Sequence, residues 1–408
     1  MMNNKLDIMV FGATSFVGKI ICQYLSESEC TIDVRWAMAG RSLDKLKKVQ
    51  QDLGVSAENI PLFIADSNDE SSLLKICNST KVMITTVGPY DLYGETLVRL
   101  CCETGTDYCD LTGEMHWIKR MQEKYEDLAK KNGARIVHSC GFDSIPSDCG
   151  VFFLQKKSLE HFSNVCSSVV MRVKEMKGTF SGGTIASLIN ITKRAIKDPS
   201  LREEFKDPYS CCPKDHTFKS RQKNVYVSYD NEFSSWIAPF VMAAVNLRIV
   251  HRSNALSGNS YGDDFTYQEA SLFGDGKKGE KRARRNTKRM KWFNFAIIFP
   301  FTRWILESFI LPKPGEGPTP SEQLSGSFDL RFLGKTSTGD SIMVQVTGDR
   351  DPGYGSTAKM ISQAALCLSR DIGDDKSGGF WTPSTLMGDQ LILRLTKYAG
   401  LNFKVIDE

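Results

Sequence analysis

Short apolar runs alternate with amphipathic stretches along the first third of the chain. Ile8 to Phe11 carries no polar residue and reads as a buried parallel strand, and a helical pattern starts near Phe16. Ile32 to Ala39 reads as a second strand, and Ile60 to Ala65 as a short third one that ends in Asp66. Lys81 to Val87 forms a fourth strand and stops at Gly88-Pro89-Tyr90. Helix (Gly94 to Thr104), strand (Tyr108 to Leu111), helix (Trp117 to Asn132) and strand (Arg135 to Ser139) follow. Strands and helices alternating at this spacing predict an α/β fold built on a doubly wound parallel sheet.

The turn after the first strand narrows the chemistry. Gly12-Ala13-Thr14-Ser15-Phe16-Val17-Gly18 joins strand to helix. This geometry presents backbone N–H groups and a helix N-terminus to a pyrophosphate, as in a Rossmann-type domain. Gly12 permits a tight turn and Gly18 lets the helix lie close to the sheet. Ser15 stands between them, where the strongest form of the loop has glycine. An ordinary strand-to-helix turn fits the same residues.

The end of the second strand discriminates further. An NAD site places a carboxylate there, about 20 residues after the last motif glycine, to hold the ribose 2′-OH. This chain has Arg41 instead, with Ser42 beside it and Lys45 one turn on, while Asp33 sits at the strand's start. A guanidinium suits a dianionic 2′-phosphate through paired charge-assisted hydrogen bonds, so NADP (as NADPH) is the expected cofactor. A solvated arginine is the plain alternative. Residues just past the carboxyl ends of parallel strands line the ligand crevice. Asp66 is thereby placed to reach an adenine edge, Val87, Gly88 and Pro89 to border the cofactor, and Tyr90 to stand near the nicotinamide.

With 408 residues the chain has room for two domains and a sizeable core. The polar N-terminus runs straight into a strand and shows no secretory signal. Twelve cysteines occur without a C-x-x-C spacing, and Cys101-Cys102 and Cys211-Cys212 are adjacent pairs. Reduced thiols in a cytoplasmic protein are the expectation. No internal repeat is visible.

Charge is unevenly placed. Lys277 to Lys291 holds nine basic residues and one acid, a net +8 in a chain whose total is +4. An aromatic, apolar stretch follows from Trp292 to Phe301, then Trp304 and Phe309 to Leu311. A bilayer-spanning helix needs about 20 apolar residues, and Pro300, Arg303 and Glu307 interrupt this run. A basic stretch beside an aromatic one matches an interfacial anchor on an anionic membrane or lipid-droplet surface. A solvated loop next to a core helix, or a contact between two copies in a homodimer, fits the same pattern. The basic patch is local and no nucleic-acid motif accompanies it, so nucleic acid is not an expected partner.

Catalytic candidates are few. No tyrosine has a lysine four residues later, which removes the proton relay of short-chain reductases. The five histidines show no metal spacing. Two clusters fall at strand ends: Cys109 to Glu114 and Cys140 to Asp148. Asp143, in the second, can exchange a proton if burial shifts its pKa. Asp143 and Ser147 also precede apolar stretches and fit helix N-caps.

These motifs together resemble the saccharopine dehydrogenase-like oxidoreductases, in the branch that includes the trans-acting enoyl reductases. The likeness runs nearly end to end. It rests on Gly12-Ala13-Thr14 to Gly18, Ala39-Gly40-Arg41, Val87-Gly88-Pro89-Tyr90, Asp110-Leu111-Thr112-Gly113-Glu114 and Cys140-Gly141-Phe142-Asp143-Ser144-Ile145-Pro146-Ser147-Asp148. Ser181-Gly182-Gly183-Thr184, Pro314 to Pro318, Asp351-Pro352-Gly353-Tyr354 and Gly378 to Pro383 extend it. The resemblance implies a Rossmann domain over 1–149 and an inserted α/β domain with a mixed sheet over 150–349. A C-terminal segment, 350–408, with a helix near Ser356 to Ser369, packs back on the first domain. It also implies hydride transfer from NADPH to a conjugated double bond or carbonyl of a small-molecule or lipid-linked substrate, with Tyr90 or Asp143 as proton donor or orienting group. A saccharopine-type amino-acid dehydrogenase, with Arg172, Lys174 and Lys177 as carboxylate ligands, and a non-catalytic NADP-binding protein of lipid surfaces are the alternatives.

Overall fold

A computed structural model describes residues 5–178, 182–306, 317–373 and 375–407. Ser181, Pro314 to Glu316 and residues 307–311 of the basic-apolar segment lie outside the described residues. The chain divides into two compact units. One holds residues up to Ile145 together with Gly317 and Gly353–Gly400; the other holds the chain from Pro146 to Leu306, Pro318–Pro352 and the last residues from Leu401.

The first unit opens with β1 (Leu6–Phe11), whose Ile8, Met9 and Val10 are fully buried, and α1 (Phe16–Glu27). Gly18, Ile21, Cys22 and Leu25 give α1 one buried stripe at helical spacing. Then come β2 (Trp36–Gly40), α2 (Leu43–Asp52), β3 (Leu62–Ile64), α3 (Glu70–Ser79) and β4 (Thr80–Thr85). A single turn, α4 (Tyr90–Tyr93), leads to α5 (Glu95–Thr104), β5 (Asp107–Asp110), α6 (Met115–Asn132) and β6 (Arg135–Val137). The second unit takes over within α7 (Ile145–Phe162).

Two predicted strands are shorter than their apolar runs. Ile32 is 81% exposed and the preceding residues form a 3₁₀ turn, so β2 begins only at Trp36, where burial becomes continuous. β4 ends at Thr85, whose Oγ1 accepts from the Val87 N–H at 3.2 Å and turns the chain out of the sheet.

In the second unit β7 (Cys166–Lys177) is followed by α8 (Gly182–Lys197), α9 (Pro199–Glu204), β8 (Ser228–Asp230), β9 (Ser235–Pro239), α10 (Ala243–Leu256) and β10 (Thr266–Leu272). The basic segment is neither a loop nor a separate core helix. It is one helix, α11 (Gly276–Ile298), that runs on into the aromatic stretch and is followed by α12 (Pro300–Ile305). The unit continues with α13 (Pro320–Ser325), β11 (Ser327–Thr336) and β12 (Ser341–Gly348). Back in the first unit are α14 (Thr357–Arg370), β13 (Gly379–Trp381) and α15 (Pro383–Tyr398). The last strand, β14 (Leu401–Ile406), departs from the expected C-terminal segment. It pairs antiparallel with β12, because the unfilled edge it completes belongs to the second sheet.

The first sheet has the order β13-β6-β5-β4-β1-β2-β3, and every pairing in it is parallel. The order reverses between β1 and β4, the switch point at which doubly wound sheets open a ligand crevice. α14, buried on nearly all sides, packs beside α1 against β1, β4 and β5. The second sheet, β14-β12-β11-β7-β10-β9-β8, is antiparallel except for the β7–β10 pair.

The second unit explains part of the Cys140 to Asp148 string. Ser147 donates to Glu269 (2.8 Å), and Tyr267 (2.7 Å) and Asn246 (2.9 Å) donate to the same buried carboxylate. Asp148 accepts from Ser253 at 2.5 Å. Both residues therefore tie α7 to β10 and α10. Tyr267→Phe withdraws one donor from a fully buried acceptor and should lower stability by about 1–3 kcal/mol, read from urea unfolding.

Candidate nucleotide and catalytic site

The turn between β1 and α1 is tight, as its two glycines predict. Gly12 adopts φ +90°, in the left-handed region that favours glycine. At Gly18 a Cβ would stand 2.1 Å from the Gly12 carbonyl oxygen, so the helix approaches the strand end only because no side chain intervenes. Ser15 is the N-cap of α1: its Oγ accepts from the Gly18 N–H at 2.9 Å and lies 2.8 Å from Thr86 Oγ1. The serine that replaces a glycine thus links the turn to the residue after β4. Among the described residues the N–H groups of Thr14, Phe16 and Val17 find no acceptor, which leaves three donors at a helix N-terminus. Tyr354 supports the turn from behind, its ring edge-on to Phe16 at 4.8 Å.

Arg41 follows β2 and is exposed; among the described residues no carboxylate pairs with it. A Cβ on Gly40 would be 3.7 Å from Thr14 Oγ1, so Arg41 stands one residue from the phosphate turn. Ser42 caps α2, accepting from the Lys45 N–H at 3.4 Å. Asp66 accepts from the Asn68 N–H at 2.9 Å and shapes the turn after β3. Val87, Gly88 and Pro89 form the link from β4 to α4, with a cis Gly88-Pro89 bond. This donor set fits an NADP molecule: amides and a helix N-terminus for the pyrophosphate, and an uncompensated guanidinium for the 2′-phosphate.

The ends of β5 and β6 are drawn together by one carboxylate. Asp110 is fully buried and receives four hydrogen bonds, from Tyr108 Oη (3.0 Å), His138 Nδ1 (2.6 Å) and the N–H groups of Thr112 and Ser139 (3.0 Å each). Ser139 reaches it with φ +58° and also donates from Oγ to the Thr112 carbonyl at 2.6 Å. The His138 ring is enclosed by Tyr108, Trp117 and Phe380.

Tyr90 sits against this group. Its hydroxyl donates to the Thr85 carbonyl (3.1 Å) and accepts from the Leu111 N–H (3.2 Å). Burial, then the Asp110 charge, raise its pKa well above the usual tyrosine value. Its proton is engaged and hard to release, so the geometry favours the orienting role for Tyr90. Its backbone is fixed as well: the N–H groups of Tyr90 and Asp91 donate to Glu114, each at 3.0 Å.

Asp143 lies on the turn after β6. Loss of water around its carboxyl pushes the pKa up to about 7, the negative charge of Asp110 adds to the rise, and its own backbone N–H opposes it. The turn is held by Thr357, whose Oγ1 accepts from the Phe142 N–H at 3.0 Å. The structure thus brings Tyr90 and Asp143 within the electrostatic reach of Asp110, while Gly12 to Gly18 follow β1 and Arg41 follows β2. Asp110, Glu114, His138 and Thr357 were not single candidates in the sequence. A carboxylate ending one strand and a histidine ending the next was the available signal for two of them.

The matches to known proteins agree with this geometry. Residues 8–137 match the model of the saccharopine dehydrogenase NADP binding domain. A protein of Mycobacterium tuberculosis named as a trans-acting enoyl reductase is 35% identical over 420 residues, covering 96% of this chain and 95% of its own. The chain belongs to the saccharopine dehydrogenase-like oxidoreductases. It falls in their trans-acting enoyl reductase branch. The trans-acting enoyl reductases of Mycobacterium bovis and Mycobacterium leprae are 33% and 32% identical, each alignment covering 96% of both chains. The apo saccharopine dehydrogenase (L-Glu forming) of Saccharomyces cerevisiae shares the fold, with a TM-score of 0.52 at 11% identity over 98% of this chain and 99% of that one. The protein is an oxidoreductase of this family, and its first unit is an NADP-binding domain.

Arg41→Ala should weaken NADPH binding roughly tenfold or more while NADH binding changes little, measured by parallel fluorescence titrations. Gly18→Ala should abolish retention of both cofactors, because the added methyl displaces α1 from the turn.

Proposed function

We propose that this protein reduces a carbon–carbon double bond conjugated to a carbonyl, on a lipid-linked substrate, with NADPH. The observation that carries this reading is Asp143: a carboxyl at the crevice end of β6 that is half protonated near pH 7. Saturating an enoyl group takes a hydride and a proton. NADPH, when bound, supplies the hydride. Asp143 holds the proton that the substrate's α-carbon takes up. Tyr90 and Asp110 position the strand ends, and burial, with a smaller contribution from the Asp110 charge, raises the pKa of Asp143 to about 7. The names of the mycobacterial relatives support the enoyl class. A lipid-linked substrate is presented at a lipid surface, which the exposed aromatic face of α11 and α12 suits, apart from the residues that act on the enoyl group.

The amino-acid dehydrogenase alternative has less to build on. Arg172 is buried and bonded to Asp230 (2.7 Å) and Gln268 (3.0 Å), and Lys177 is paired with Glu175 (2.7 Å). Two of the three cations it requires are already neutralised.

The test is single-turnover NADPH oxidation with a medium-chain 2-enoyl thioester. The protonated form of Asp143 is full below about pH 7 and lost above it, so the rate should fall as pH rises through that value. Asp143→Asn should lower the rate on the order of 10²–10⁴-fold with NADPH affinity unchanged. An Asp143→Asn rate equal to the parent's removes the assignment.

A further inference from the structure

α11 carries its charge and its aromatic residues on the same side. All nine basic residues between Lys277 and Lys291 are exposed, while Gly279, Ala283, Ala296 and Ile297 form the buried stripe. Asp275 caps the helix, accepting from the Gly276 N–H at 2.6 Å. Lys281, Arg284, Lys288, Lys291, Phe295 and Ile298 recur at steps of three and four, so they lie along one exposed face. Its first two-thirds are cationic and its last third is aromatic and aliphatic.

The aromatic part continues past the end of α11. Trp292 is 60% exposed, Phe301 72% and Trp304 56%, with Phe295 and Phe299 beside them. Phe295 packs on Phe299 with ring centroids 4.5 Å apart, and Phe301 on Trp304 at 6.4 Å. Large aromatic side chains this exposed and this close together form a patch of the kind that marks an interaction site. Among the described residues no helix is long and apolar enough to cross a membrane. The patch is held at the surface instead, by the small cluster of Ile189, Ala296, Ile297 and Leu306 beneath it.

We propose that the exposed face of α11 and α12 is a docking surface for an anionic lipid bilayer, with Trp292, Phe295, Phe301 and Trp304 entering the interface and the basic residues over the headgroups. Charge complementarity selects this occupant. A net +8 over fifteen residues in an otherwise acidic chain is matched by a surface of clustered negative charge, and the adjoining aromatic rings are of the type that settles at the headgroup level. The inference does not rest on the reductase reading, since it concerns residues of the second unit alone.

The experiment is flotation of the full chain with vesicles of phosphatidylcholine alone or mixed with phosphatidylglycerol. Binding to the anionic vesicles only, weakened by salt, is expected. Lys288→Glu/Arg289→Glu/Lys291→Glu should reduce the bound fraction roughly tenfold or more, and so should Trp292→Ala/Phe301→Ala/Trp304→Ala. These side chains are exposed, so the thermal midpoint should be kept in both variants. No binding to anionic vesicles overturns the proposal, as does binding that either variant leaves intact. Self-association that the aromatic variant abolishes, without vesicle binding, overturns it in favour of a contact between copies. Enoyl reduction of a short thioester in solution should be the same in both variants, which separates this test from that of the reductase reading.

Discussion

The Asp110 carboxylate is the interaction on which the crevice depends. A carboxylate buried without partners would be costly, and here it is stabilised by four donors from two segments of chain, Tyr108 to Thr112 and His138 to Ser139. Those donors fix the turn after β5 and the turn after β6 relative to each other. The same negative charge is felt by Tyr90 and Asp143, and it opposes the ionisation of both. One group therefore clasps the ends of β5 and β6 and adds its charge to the burial that raises the pKa of both side chains.

The turn between β1 and α1 is assembled differently, from the absence of atoms. Gly12 supplies a backbone angle and Gly18 supplies clearance, and the helix N-terminus is presented as a consequence. Ser15 adds a capping bond to α1 and a contact to Thr86, which couples the turn to β4 across the switch point. The segment from Gly353 to Gly400 backs both sides, through Tyr354 against Phe16 and Thr357 under Phe142. A distant part of the sequence thus packs against turns that belong to the first third of the chain.

What could be read in advance follows from how each feature is encoded. Ile8 to Phe11 of β1 and Trp36 to Ala39 of β2 are uninterrupted apolar runs, because these strands are buried within the sheet, and the turn between β1 and α1 is local in sequence. The placement of Gly12, Gly18, Arg41, Tyr90 and Asp143 beside strand ends was legible for that reason. The bond between Asp110 and His138 was not, since the two residues are 28 apart and meet only because β5 and β6 are neighbours in the sheet. The second sheet was legible only as a class. Its strands mix polar and apolar positions, and a residue such as Arg172 is buried by a partner, Asp230, that no periodicity reveals. The placement of β14 on β12 depends likewise on which sheet edge is free. The continuity of α11 was hidden because its cationic and aromatic halves look like separate segments until the helix joins them.

The central claim is that the crevice joins a hydride from NADPH to the β-carbon of an enoyl group and a proton to its α-carbon. Deuterium-labelled NADPH, carried through one turnover with a 2-enoyl thioester and followed by mass spectrometry and NMR of the product, tests it most directly. The account predicts one deuterium on the β-carbon and one solvent-derived hydrogen on the α-carbon of a saturated thioester. Deuterium on a carbinol carbon, or no transfer at all from a bound cofactor, would contradict it.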